Sequence, residues 1–293
     1  MFNFIQHLIK ILFSSKKEID NPVKDKLTSA RGKGLFVYDL KSLYSEHGGL
    51  VNTVNWFKSL NLDNIWIRII GKQGWSRTQT KQEAKELIRA CLSENIKVGS
   101  WGFIYDPDDN PGKYAQYVID FISELELDLF VHNMEFDHED DSKEKEIEHA
   151  NIYWHKIKNN MPENICHGLS SFWHVDYHPL AWNVHMDHCD FIAPQVYQVK
   201  KDPLYTLNKA IKINNRFKKP QVLTLQAFWG EMLITENRAT QDLITICRNW
   251  SSLPIIENNI IGLNLWHAGG KSQNAFNKTM QRYYSQSSFT LKK

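Results

Sequence analysis

Cysteine is scarce and scattered in this chain. Cys91, Cys166, Cys189 and Cys247 are the only four in 293 residues, and no CxxC pair occurs. That spacing excludes a zinc ribbon and argues against a disulfide framework. Cys91 and Cys247 fall on the apolar faces of predicted helices, Cys166 and Cys189 at the starts of predicted strands, as buried free thiols do. An excess of one charge is missing as well. The formal net charge is +2, with Lys and Arg spread along the chain, so nucleic acid is not an expected partner. No phosphate-binding glycine loop follows the first strand-like run, and GLSSFW lacks the GxSxG of a nucleophile elbow.

The start, MFNFIQHLIKILFSSKK, has neither the basic n-region nor the small-residue cleavage site of a secretory signal. Its apolar run is too short and too interrupted to span a bilayer. Without a cleavable signal, location stays open between the cytoplasm and export by another route. Asn3, Gln6, His7 and Lys10 recur at helical spacing. They predict an amphipathic helix over residues 2–14 that packs on the domain or makes a peripheral membrane contact.

What the chain does have is aromatic side chains: 10 Trp, 11 Tyr and 15 Phe. Many belong to a core, but several fall where predicted strands stop. Eight strand-like runs occupy 34–40, 64–70, 96–104, 128–135, 165–172, 189–197, 220–228 and 260–268, each rich in β-branched or aromatic residues. Helical patterns lie between most of them, such as Ala84, Leu87, Ile88, Cys91 and Leu92, or Ala115, Val118, Ile119, Ile122 and Leu125. Pro111 and Pro203 stand where helices would begin. An interval near 30 residues is one βα unit, so the expected fold is α/β, a single (β/α)₈ barrel. Residues 1–31 form an N-terminal helix and linker, 32–285 the barrel and catalytic domain, and 286–293 a tail.

Active sites of such barrels lie at the C-terminal ends of the strands. The residues expected there are Asp39, Arg68, Trp101, Asp106, Asn133, Glu135, Asp137, Ser170, Ser171, Gln195, Tyr197, Gln226, Asn264 and Trp266. In DLFVHNMEFDHEDD, Asn133, Glu135 and Asp137 share a strand face, and Glu135 directly follows an apolar run. The acids from Asp140 to Glu148 read as a solvated face. Asp39 either caps the turn after the first strand or acts in catalysis. Two carboxylates across an aromatic-lined mouth suit glycoside cleavage, one as acid and one as stabiliser or nucleophile. Such an acid is expected to be partly buried, with its pKa raised.

The pattern resembles the barrel muramidases of glycoside hydrolase family 25, which carry an Asp on strand 1 and D-x-E at the end of strand 4. VYDL matches at Asp39 and HNME at Glu135, with Asn133 in place of the family's acid. A fainter similarity to chitinase-like barrels involves the same Glu135, Tyr197 and Trp266. WHVDYHPLAWNVHMDHCDFIAPQVYQ resembles a strand 5–6 segment of glycosidase-like barrels of cell-wall hydrolases. The resemblance implies a glycosidase acting on a polysaccharide, most readily peptidoglycan, with no cofactor. Its catalytic residues would be Glu135, Asp39, Asn133 and Asp137; Arg68, Trp101, Trp173, Tyr177, Gln195, Tyr197, Gln226 and Trp266 would bind substrate. Two alternatives stay open: a catalytically silent carbohydrate-binding barrel, and a metal-dependent hydrolase. In the second, His174, Asp176 and His178 would share a face of an extended strand. Deleting residues 2–14 should leave a soluble protein with a cooperative melt; loss of either would assign the segment to the core.

Overall fold

The computed structural model describes residues 25–71, 74–104, 110–135, 143–178, 180–197, 202–229, 234–250, 259–269 and 276–287. The predicted helix over 2–14, Asp106 and Asp137 lie outside them. Each of the eight strand-like runs overlaps one strand: β1 Gly32–Val37, β2 Asn64–Gly71, β3 Lys97–Phe103, β4 Leu129–Asn133, β5 Cys166–Phe172, β6 Phe191–Val196, β7 Gln221–Gln226 and β8 Ile260–Ala268. Neighbours pair in parallel around the whole ring, and β1 pairs with both β2 and β8, which closes the barrel. A two-residue strand, Gly74–Trp75, adds an antiparallel hairpin to β2.

The described helices are α1 Leu40–His47, α2 Leu50–Ser59, α3 Lys81–Ser93, α4 Pro111–Leu125, α5 Lys143–Asn160, α6 Trp182–His188, α7 Pro203–Asn214, α8 Glu236–Asn249 and α9 Lys278–Gln286. Local chemistry sets their starts. Thr80 and Glu83 form a reciprocal capping box on α3. Asn110 and Asp202 cap α4 and α7, with Pro111 and Pro203 in the first turn, where a missing N–H costs nothing. Each such cap contributes about 1 kcal/mol. None of the described helices is long and apolar enough to cross a membrane. The four thiols are free; Cys91, Cys166 and Cys189 are buried and Cys247 is half-buried.

Strand alternation divides the apolar side chains into two cores. Leu35, Val37, Ile65 and Ile67 face the helices. Phe36, Trp66, Trp101, Leu129, Val131, Phe191 and Trp266 fill the barrel interior. Two glycines on inward-facing positions make that filling possible. A Cβ on Gly99 would lie 2.5 Å from Leu129 and 2.8 Å from Trp66, and one on Gly168 would lie 2.2 Å from the Phe191 ring. The N-terminal end is sealed by the short 3₁₀ turn Thr28–Ala30, whose Ser29 carbonyl accepts from the Trp66 indole at 3.2 Å.

Behind β4, on its helix-facing side, sits a buried polar chain. His132 Nδ1 meets the Tyr153 hydroxyl at 2.6 Å and His132 Nε2 meets His167 Nδ1 at 3.0 Å. His167 also lines a surface cavity of about 280 Å³ with Trp154 and His188. Burial pushes the His167 pKa down to about 4, and holds His132 well below the ordinary imidazole range, with His167 adding to the effect. An unfolded chain therefore binds protons here that the folded chain refuses. The stability from His167 is fully present above about pH 6.5, the ordinary imidazole value, and drains away as pH falls towards 4. It amounts to on the order of 3 kcal/mol. Urea unfolding between pH 6.5 and 5 should show a steeper loss for wild type than for His167→Gln. Parallel pH profiles would contradict this reading.

Candidate active site

At the C-terminal mouth a polar layer rests on the aromatic filling. On β4 the alternation that turns Leu129 and Val131 inward also brings Asn133 inward, and Glu135 continues that face one pleat beyond the last ladder residue. The ladder is extended by Ile104 N–H donating to Asn133 O and Met134 N–H to Ser170 O, both at 3.0 Å, so Glu135 springs from held backbone. Asn133 is fully buried and Glu135 is exposed.

Gln195, inward on β6 and buried, joins the two. Its Nε2 donates to Asn133 Oδ1 at 2.7 Å and to Glu135 Oε1 at 2.6 Å, with Ser170 Oγ at 3.4 Å. Asn133 Nδ2 donates to the same carboxylate oxygen at 3.1 Å. One oxygen of Glu135 is thus held by two amides from neighbouring parts of the rim. Tyr197 follows Gln195 on the same face, half-buried, with its ring against Phe228 at 5.3 Å. Gln226 is buried and donates to Phe228 O at 2.9 Å. Trp266 is 8% exposed and packs edge-on against Trp101 at 4.7 Å. On the other side of the mouth, the guanidinium of half-buried Arg68 lies over Tyr38, Trp101 and Phe103, at 4.6, 5.6 and 5.1 Å from the ring centroids.

Several expected site residues stand elsewhere. Asp39 lies two residues past β1, and its Oδ1 accepts from Ser42 N–H at 2.9 Å as the N-cap of α1. Alternation gives the inward position to Tyr38, which shares a face with Phe36. Trp101 is fully buried, with its indole N–H on Val37 O at 3.1 Å, so it belongs to the floor and offers no face to a ligand. Trp173 packs in the layer between strands and helices, with Lys209 above its ring. Tyr177 is exposed and stacks on His174 at 4.0 Å in the turn Val175–Tyr177. That turn is 3₁₀, so His174, Asp176 and His178 share no strand face. Asp176 instead pairs with Arg216 at 2.8 Å, and among the described residues no three metal-binding side chains converge.

Ser171 turns away from the interior and donates to Met134 O at 2.7 Å. Asn264 lies below the mouth, donating to Asn64 at 3.1 Å. Tyr38, Phe103 and Phe228 are mouth residues that the sequence reading passed over; counting alternate positions from Phe36, Trp101 and Thr224 identifies all three.

No family model and no curated protein matches the chain. Solved structures do. A family 18 chitinase from Cycas revoluta, in complex with allosamidin, superposes with a TM-score of 0.58 at 9% identity, over 87% of this chain and 99% of that one. The spore cortex-lytic enzyme SleL of Bacillus cereus gives 0.55 at 8%, over 87% and 73%. The endo-β-N-acetylglucosaminidase of Cordyceps militaris gives 0.55 at 11%, over 87% and 89%. At such identities the likeness establishes the shared (β/α)₈ barrel.

The amide network makes its own test. Gln195→Leu leaves the buried Asn133 carbonyl oxygen without its donor, a loss expected to cost about 1–3 kcal/mol of stability. Urea unfolding at neutral pH measures it, and a variant as stable as wild type would mean that Asn133 does not depend on Gln195.

Proposed function

We propose that the protein is a glycosidase that cleaves a polymer of N-acetylated amino sugars, peptidoglycan foremost, with Glu135 as general acid. The observation that carries this reading is the convergence of Asn133 and Gln195 on one oxygen of Glu135 at the mouth. A general acid must hold its hydroxyl at a fixed position beside the leaving oxygen. Two amides hold the first oxygen and so fix the carboxyl at the mouth, and because an amide offers both donor and acceptor, the pair serves either protonation state.

Asp39 caps a helix, so the second partner in the reaction is drawn from the substrate itself. Glu135 gives its proton to the glycosidic oxygen as the bond from that oxygen to C1 breaks. The acetamido carbonyl oxygen of the same sugar bonds to C1 and spreads the positive charge over its amide. Water then adds to C1, the acetamido oxygen departs, and the water's proton returns to Glu135. Gln195 and Tyr197 border the place the acetamido group would occupy, Asn133 holds Gln195 from beneath, and Trp266 supplies the apolar surface beneath the ring. The chitinase and the cortex-lytic enzyme among the structural relatives support a glycan of this class.

One observation favours a second reading, a silent glycan-binding barrel. Asn133 is neutral where the D-x-E pattern has an acid, so it cannot answer the charge that develops on the acetamido group. Peptidoglycan and chito-oligosaccharides incubated with wild type and Glu135→Gln separate the two. Under the catalytic reading the variant loses about 10²–10⁴-fold in rate, the usual contribution of a general acid. Equal rates would remove Glu135 from the chemistry, and binding without any turnover by wild type would establish the silent barrel.

A further inference from the structure

Arg68 poses a problem of unmet donors. A guanidinium has five N–H groups in a planar fork and no acceptor. Here Nε donates to Ile70 O at 3.4 Å, a long bond made within its own strand. Among the described residues, no other acceptor and no carboxylate meets the group. Its surroundings are the rings of Tyr38, Trp101 and Phe103. Their faces attract the cation, yet they satisfy no N–H along the edge of the fork. A half-buried fork with its faces covered and its edge open is prepared for a planar or tetrahedral set of anionic oxygens.

The position of the fork matters equally. Arg68 pairs in register with Trp101, and Trp101 with Val131. The stagger of a closed barrel then brings inward residues of alternate strands into one layer, which here contains Arg68, Asn133, Gln195 and Trp266. Glu135 stands one pleat above that layer. The open fork therefore faces the same mouth as the acid, and once Glu135 holds a proton the positive charge of Arg68 is uncompensated by it.

We propose that Arg68 binds an anionic oxygen group carried by the substrate's sugar, a carboxylate or a phosphoryl group, and so selects acidic amino-sugar glycans over neutral ones. The inference rests on the glycosidase reading and narrows its substrate. In peptidoglycan, muramic acid stripped of its peptide carries such a carboxylate on its lactyl ether, whereas chitin carries none.

The test compares four oligosaccharides of equal length: neutral N-acetylglucosamine chains, chains with free lactyl carboxylates, the same chains with those carboxylates amidated, and chains bearing a sugar phosphate. Binding is measured by calorimetry on Glu135→Gln and cleavage on wild type. The free carboxylate or the phosphate should bind about tenfold to a hundredfold more tightly than the neutral and amidated chains, the range for a charge-assisted hydrogen bond. Whichever anion gives the larger ratio identifies the natural group. The ratio should fall in high salt, collapse in Arg68→Met, and be intermediate in Arg68→Lys, which keeps the charge and loses the fork. Wild-type cleavage of all four chains at one rate would overturn this inference and leave the glycosidase standing. Charge-selective binding without cleavage would do the reverse. Arg68→Met that weakens neutral and anionic chains by the same factor would also overturn it, since a merely structural residue behaves so.

Discussion

Eight strands enclose a fixed interior, and here that interior is filled by rings seated on bare backbone. Trp66 occupies the space where Gly99 has no side chain, and Phe191 does the same over Gly168. The aromatic groups meet edge-to-face, as between Phe36 and Trp66 at 4.8 Å and between Phe36 and Trp266 at 5.0 Å, an arrangement that suits their quadrupoles. Everything at the mouth depends on this fit. A filling too tall would lift Trp266 and Trp101 into the polar layer, and one too short would let water beneath Asn133. The seal at the other end, where Ser29 accepts from Trp66, leaves the C-terminal mouth as the end on which polar chemistry is built.

On that floor, polar side chains must satisfy one another. Asn133, Gln195 and Ser170 come from three consecutive strands, and all three are buried. Their hydrogen bonds therefore act in a medium less polarisable than water, where an unmade bond is costly and a made one is directional. Glu135 sits on the boundary, its stem following the buried strand and its carboxyl exposed. Rigid support from below with access from above keeps the carboxyl positioned while it stays open to solvent. Arg68 obeys the same division in another way, with rings on its faces and an open edge.

Much of this architecture was legible in the chain. The strand interval near 30 residues predicts the barrel, and each predicted run overlaps an observed strand. The place of Glu135 at the mouth was legible because a carboxylate that ends an apolar run is conspicuous. For Asp39 residue type left capping and catalysis both open, and the structure shows the cap: strand parity from Phe36 through Tyr38 turns it outward onto the first turn of α1. WHVDYH alternates like a strand, yet the chain has already left β5 and coils into a 3₁₀ turn, where period two has no meaning. Trp173 and Trp101 show the limit of type and position together. Whether a ring at a strand end lines a groove, fills a floor or lies under a helix is decided by tertiary packing. The pairing of His132 with Tyr153 and His167 was invisible for the same reason, since it joins β4, α5 and β5 across the outer layer.

The contact between Trp101 and Trp266 has an optical consequence. Their centroids are 4.7 Å apart and their planes 64° apart. Two indoles so close and so inclined couple their electronic transitions, and the sign of the resulting near-ultraviolet dichroism depends on the angle between them. One ring is locked in the floor by its bond to Val37, and the other borders the mouth. Any tilt of the bordering ring is therefore read against a fixed reference inside the same molecule. The barrel carries, without label or cofactor, a chiral spectroscopic gauge at the base of its own entrance.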